Sequence, residues 1–170
     1  MPTLIRLENG VFVEAADRFQ LIEPDALIPD GGGVILPLAR FESDGTRLLD
    51  EGRPLGVVLQ PDESVEALTY DLPRLALVAL SFPKFRDGRA YSSAVLLRTR
   101  YGFTGELRAV GDVLREQAGP MVRCGFDVFV PADGSTVDEW AAAATRYRHA
   151  YQRSADARPP AFVERTDGVR

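Results

Sequence analysis

Three cations crowd one short segment, Phe82-Pro-Lys-Phe-Arg-Asp-Gly-Arg89, where Lys84, Arg86 and Arg89 surround Asp87-Gly88. An Asp-Gly turn just ahead of a helix start brings together free backbone N–H groups, the positive end of a helix dipole and cationic side chains. Phosphate, sulfate, sulfite or a carboxylate fits such a place. Ser92, or its neighbour Ser93, is expected to cap the helix that runs on to Tyr101. The plainer reading of the same residues is a solvated basic loop.

Arg108 is the second residue of interest, because it lies inside an otherwise apolar strand, Glu106–Val110. Alternation places Glu106, Arg108, Val110 and Asp112 on one face. A buried guanidinium must be paired, since desolvating it alone costs several kcal/mol or more. Asp112, Glu106 and Asp87 are the expected partners, and Arg108 either ties strand to loop or faces a ligand. The candidate anion- or partner-binding set is therefore Lys84, Arg86, Asp87, Arg89, Ser92, Arg108 and Asp112.

The single cysteine, Cys124, is expected at a helix C-terminus, where the dipole opposes a thiolate, and reads as packed and unreactive. One cysteine excludes an internal disulfide and any iron–sulfur cluster held by this chain alone. With one histidine, His149, it cannot make a zinc site of the usual kinds, so no metal is assigned. His149 reads as exposed and idle. No GxGxxG follows a strand, and there is no Walker loop, GxSxG or HExxH, so no cofactor is expected and no catalytic residue is named. Gly31-Gly32-Gly33 precedes a strand and is a turn.

The chain of 170 residues holds 20 basic and 25 acidic side chains, a formal charge of −5. Residues 81–126 carry eight basic against four acidic groups, a net +4, while the remaining 12 basic and 21 acidic groups leave −9. Positive charge gathered in one stretch of an acidic protein points to an anion or an acidic partner. The balance argues against nucleic acid as the main ligand. No apolar run is long enough for a membrane span, and the first residues lack a signal-peptide pattern, so a cytoplasmic location and no membrane partner are expected.

Asn9-Gly10 between Leu4–Leu7 and Val11–Val13 predicts a type I′ hairpin. A mostly irregular strap over 17–33 is expected to pack Phe19, Leu21, Leu27 and Ile28 on the core. Apolar runs at Val34–Leu38, Leu55–Leu59, Leu75–Phe82, Glu106–Val110 and Phe126–Val130 then alternate with amphipathic segments. That is the pattern of about five β-α units forming a parallel sheet. The fold class is α/β, with a partial-barrel-like sheet plus the N-terminal hairpin, or alternatively an open doubly wound sheet. Either form puts the functional face at the carboxyl ends of the strands.

Within these units Gly45 is expected to shorten the first helix. Asp62 is expected to cap a helix through Leu68, and Asp112 one over Val113–Arg123, kinked near Glu116 by Pro120. Thr136-Val-Asp-Glu139 is a capping box, with Trp140, Ala144, Tyr147 and Tyr151 on one helix face as core. The expected organisation is one α/β domain over 1–153, made of hairpin and strap at 1–33 and units at 34–153. A mobile tail is expected over 154–170.

The run FPKFRDGRAYSSAVLLRTRYGFTGELRAVGDVLREQ, continued by RCGFDVF, together with PDGGGVILPLARF, resembles an uncharacterised bacterial family, domain of unknown function 934. Its members are labelled as oxidoreductases involved in sulfite reduction. The resemblance implies an accessory role in assimilatory sulfite reduction, docking onto sulfite reductase or its electron donor. The alternative is a small barrel-like enzyme or binder of an anionic sulfur or phosphate metabolite at the 82–89 loop. Hairpin and strap are expected to cover one sheet edge, and a second copy or a partner protein the other, as a homodimer or a stable complex.

Overall fold

Asn9 and Gly10 both take positive φ, 50° and 81°, and join β1 (Leu4–Glu8) to β2 (Val11–Ala15) as the Asn-Gly turn requires. The computed structural model describes residues 4–167. The five apolar runs become β4 (Gly33–Pro37), β5 (Leu55–Leu59), β6 (Leu77–Phe82), β7 (Glu106–Gly111) and β8 (Val128–Phe129). The strap contributes β3 (Phe19–Leu21), so it is less irregular than its prolines and glycines suggest.

The eight strands form one sheet in the order β2-β1-β8-β7-β6-β5-β4-β3. From β3 to β8 neighbours are parallel and follow chain order. A doubly wound sheet needs a reversal of strand order, and these six strands have none. The hairpin joins antiparallel at β8, which makes the sheet mixed and not purely parallel.

A short link shows how strongly the sheet curls. β2 and β3 are its outermost strands, and in a flat sheet seven strand spacings would hold them about 34 Å apart. Ala15 and Phe19 are four residue steps apart and can span at most about 14 Å. The sheet therefore bends into a half-barrel whose ends approach at residues 16–18. Hairpin and strap cover opposite edges, β8 and β4, in place of the single edge expected for both.

Alternation divides the strand side chains between two cores. Val34, Leu36, Val57, Leu59, Val78, Leu80, Leu107 and Ala109 pack with the helices. Ile35, Val58, Leu77 and Ala79 form a second cluster with Phe19 and Val110, without any helix residue. Leu77 and Ala79 are nevertheless 0% and 1% exposed, because the curling sheet encloses them.

The helices are α1 (Leu38–Asp50), α2 (Arg89–Thr99), α3 (Ala118–Cys124), α4 (Val137–Thr145) and α5 (Ala161–Asp167). α1 runs for 13 residues straight through Gly45. A Cβ there would lie 2.4 Å from the Phe41 ring, so the glycine makes room for Phe41 and does not break the helix. The helix expected from Asp62 is a pair of single 3-10 turns, Val65–Leu68 capped by Ser64 and Leu72–Arg74.

The expected helix over Val113–Arg123 is likewise split, into a 3-10 turn at Arg115–Gln117 and α3. Pro120 thus falls in the first turn of α3, where its missing N–H has no intrahelical acceptor to lose, and no kink is needed. Gly125 closes α3 at φ 100°.

The Thr136–Glu139 capping box opens α4 as expected. α4 stops at Thr145, so the stripe reads correctly only at its start: Trp140 is buried, while Tyr147 and Tyr151 are 72% and 77% exposed. In the strap, Leu21 and Leu27 are exposed, against the expected core packing, while Ile28 packs on the core. Of the tail expected to be mobile over 154–170, Asp156 bonds Arg123 of α3 and Ala161–Asp167 form α5, while residues 168–170 lie outside the described residues.

Candidate functional site

Parallel pairing sets the carboxyl ends of β4 to β8 side by side, and the 83–88 loop rises between β6 and α2 at the middle of that row. Its backbone is held from below. Asp112, just beyond β7, donates its N–H to the Phe82 carbonyl at 2.7 Å. The Asp112 carboxylate in turn accepts the Phe85 N–H at 2.8 Å. Gln117, 5% exposed, accepts the Leu114 N–H at 2.9 Å and turns its amide N–H toward the Phe85 carbonyl at 3.4 Å. Both backbone groups of Phe85 are thus engaged, while the residue is 45% exposed.

Gly111 permits this close approach. Its φ is +97°, and a Cβ would lie 2.4 Å from the Phe82 carbonyl oxygen. Any side chain would force β7 away from β6 at the root of the loop.

The helix start differs from expectation. α2 begins at Arg89 after Gly88, three residues before Ser92, which is exposed and forms no cap. Asp87 takes that role as an Asx turn, accepting the Arg89 N–H at 3.2 Å and gripping its guanidinium at 3.0 and 2.7 Å. These bonds to Arg89 hold the Asp87 carboxyl below its usual range. A carboxylate of the chain itself therefore occupies the helix N-terminus.

Most of the positive charge of residues 81–126 is likewise absorbed. Arg98 donates to the Phe103, Gly105 and Gly125 carbonyls and pairs with Asp127. Arg115 meets Glu139 at 2.7 Å, and Arg123 meets Asp156 at 3.0 Å. Among the described residues, Lys84, Arg86 and Arg100 have no ion-pair partner. Lys84 and Arg86 flank Phe85, and Arg100 caps the far end of α2.

Arg108 does not join this loop. Its side chain, 3% exposed, lies on the inner face of the half-barrel. It bonds Glu106 at 2.7 Å and Asp17 at 2.9 and 3.1 Å, and stands 5.9 Å from the centre of the Phe19 ring. Glu106 also accepts from Arg6 at 2.7 Å. Two arginines and two carboxylates are balanced within one partly buried network centred on Arg108. Glu106 was among the expected partners of Arg108. Asp112 and Asp87 are occupied by Phe85 and Arg89, and Asp17 takes their place.

The predicted set therefore divides. Lys84, Arg86, Asp87, Arg89 and Asp112 meet at one loop, Ser92 follows on the exposed side of α2, and Arg108 lies apart from them, paired with Glu106 and Asp17. Sequence reading missed Phe85 and Gln117. An aromatic alone among cations was a legible signal for Phe85, whereas nothing local marks Gln117.

Cys124 is half-buried at the end of α3, 3.5 Å from the Ser154 hydroxyl, and burial pushes its thiol upward. His149 is exposed but meets Glu164 at 2.6 Å. Burial pushes the Tyr91 phenol up to about 12, against the opposing bond from Gln117. Among the described residues no cluster of His, Cys, Asp or Glu could hold a metal ion, and no helix is long and apolar enough to cross a membrane.

A family model described as a bacterial protein of unknown function, DUF934, matches residues 56–162. The chain belongs to the DUF934 family. In this DUF934 chain the match takes in the Phe85 loop, Asp112, Gln117 and Arg108, while Arg6 and Asp17 lie ahead of it. A search of curated proteins finds no match.

Proposed function

We propose that this chain is an accessory protein of assimilatory sulfite reduction, which docks through Phe85, Lys84 and Arg86 onto sulfite reductase or its electron donor. One observation carries the docking half of this reading. A half-exposed Phe85 stands between two unpaired cations on a loop in which both Phe85 backbone groups are already hydrogen-bonded. Aromatic and cationic anchors dominate protein interfaces, and a preorganised loop loses little entropy on binding. Free cations steer an acidic partner into contact.

The pathway half rests on the resemblance of the sequence to a family labelled for sulfite reduction. Docking is favoured over capture of a small anion by the same loop because Asp87 already fills the helix N-terminus, so a free anion would have to displace it. The outer strands β2 and β3 each keep one unpaired side, so assembly as a homodimer belongs to this reading.

The test is direct binding of the purified chain to purified sulfite reductase and to its electron donor over a salt series. The expected result is an affinity that falls with salt and is lost in Lys84→Glu/Arg86→Glu. No binding to either enzyme, or binding indifferent to salt and to both substitutions, refutes the reading.

A further inference from the structure

A cavity of about 560 Å³, lined by none of residues 83–88, lies between α3 and α4 on one side and the segment 147–158 on the other. Tyr91, Pro120, Val122, Ala144 and Ala150 give it apolar walls. Arg123 latches the covering segment, donating to Asp156 at 3.0 and 3.3 Å and to the Gln152 carbonyl at 2.6 Å, while the Asp156 N–H returns a bond to the Arg123 carbonyl at 3.1 Å.

The charge on the lining is one-sided. Asp156 is the one carboxylate there, and Arg123 neutralises it. Arg153 and Arg158 also line the space, and neither has an ion-pair partner among the described residues. His149 is occupied by Glu164 of α5. Two uncompensated guanidinium groups thus border an apolar chamber in a protein of net charge −5. Pockets of a few hundred Å³ with apolar walls and a few polar groups are the usual form of small-molecule sites.

We infer that this cavity binds a small organic anion, with an apolar body against Tyr91, Val122 and Ala144 and an acidic group between Arg153 and Arg158. Guanidinium forks match carboxylate, sulfonate and phosphate groups, and a charge-assisted contact is about twice as strong as a neutral one. The covering segment supplies both arginines, so ligand and cover bind together. Cys124, in the wall, reports occupancy.

The experiment titrates the full chain with 8-anilinonaphthalene-1-sulfonate, followed by fluorescence, and with N-phenyl-1-naphthylamine, its analogue without the sulfonate. Saturable one-site binding of the sulfonate is expected, together with slowed alkylation of Cys124 in proportion to occupancy. Arg153→Ala/Arg158→Ala is expected to weaken the sulfonate about tenfold or more and leave the neutral amine within about twofold. Ala150→Trp fills the chamber from the covering side and removes both. The inference fails if sulfonate binding does not saturate. It fails equally if the double arginine variant binds the sulfonate as the parent does, or if saturating sulfonate leaves Cys124 alkylation unchanged.

Discussion

Arg108 and Asp17, 91 positions apart, meet through two hydrogen bonds of 2.9 and 3.1 Å on the inner face of the half-barrel. Asp17 sits in the link between the two outermost strands, and Arg108 sits on β7, near the middle of the sheet. The pair therefore holds the curled ends to the centre. Removing one member of a buried pair leaves the other uncompensated, so Arg108→Ala is expected to cost about 3–5 kcal/mol. Asp17→Asn keeps Arg108 on Glu106 and is expected to cost less, about 1–3 kcal/mol. Urea unfolding checks both, and an Arg108→Ala chain as stable as the parent would show the network to be idle.

Asp112 holds the loop through the Phe85 N–H and the Phe82 carbonyl. Asp112→Ala frees the Phe85 N–H at a partly exposed site, with an expected stability loss of about 1 kcal/mol and faster amide exchange over residues 83–88. Asp112→Asn retains an acceptor and should restore most of the protection. Equal exchange in parent and Asp112→Ala would mean that the loop is held elsewhere.

Gly111→Ala tests the root of the loop. The new Cβ meets backbone and adopts an unfavourable φ, so an effect of about 2 kcal/mol or more is expected, well above that of an ordinary surface substitution. Thermal melting reads it, and an unchanged midpoint would contradict the close approach of Phe82 and Gly111.

Burial raises the Cys124 thiol, and only the thiolate reacts, so at any pH below its midpoint the native protein holds less thiolate than a free cysteine. Iodoacetamide should react slowly at neutral pH, with a rate that rises at higher pH than for the unfolded chain. Coincident pH profiles for folded and unfolded protein would remove the burial effect.

Much of this was legible from short-range signals. Asn9-Gly10, the five apolar runs, Thr136–Glu139 and the Asp87-Gly88 turn each act within a few residues. What escaped depends on packing between distant segments. Gly45 looks like a helix breaker until Phe41 is seen against it. Pro120 looks like a kink until α3 is found to start at Ala118. Asp17 lies in a strap with no motif, and only the curl of the sheet delivers it to Arg108. The basic loop was found, but part of the charge is taken up within the chain, because Asp87 binds back onto Arg89 and the stretch spends Arg98, Arg108, Arg115 and Arg123 on distant carbonyls and carboxylates.

The docking account is tested most directly in the native cell, with the gene deleted and growth measured on sulfite as sole sulfur source. Loss of growth is expected, with rescue by cysteine and by the parent gene but not by Lys84→Glu/Arg86→Glu, whose purified product should melt as the parent does because both side chains are exposed. Arg89 is left intact, since reversing it would also break its bonds to Asp87. Full growth of the deleted strain on sulfite would contradict the pathway, and full rescue by the charge-reversed gene would contradict the loop.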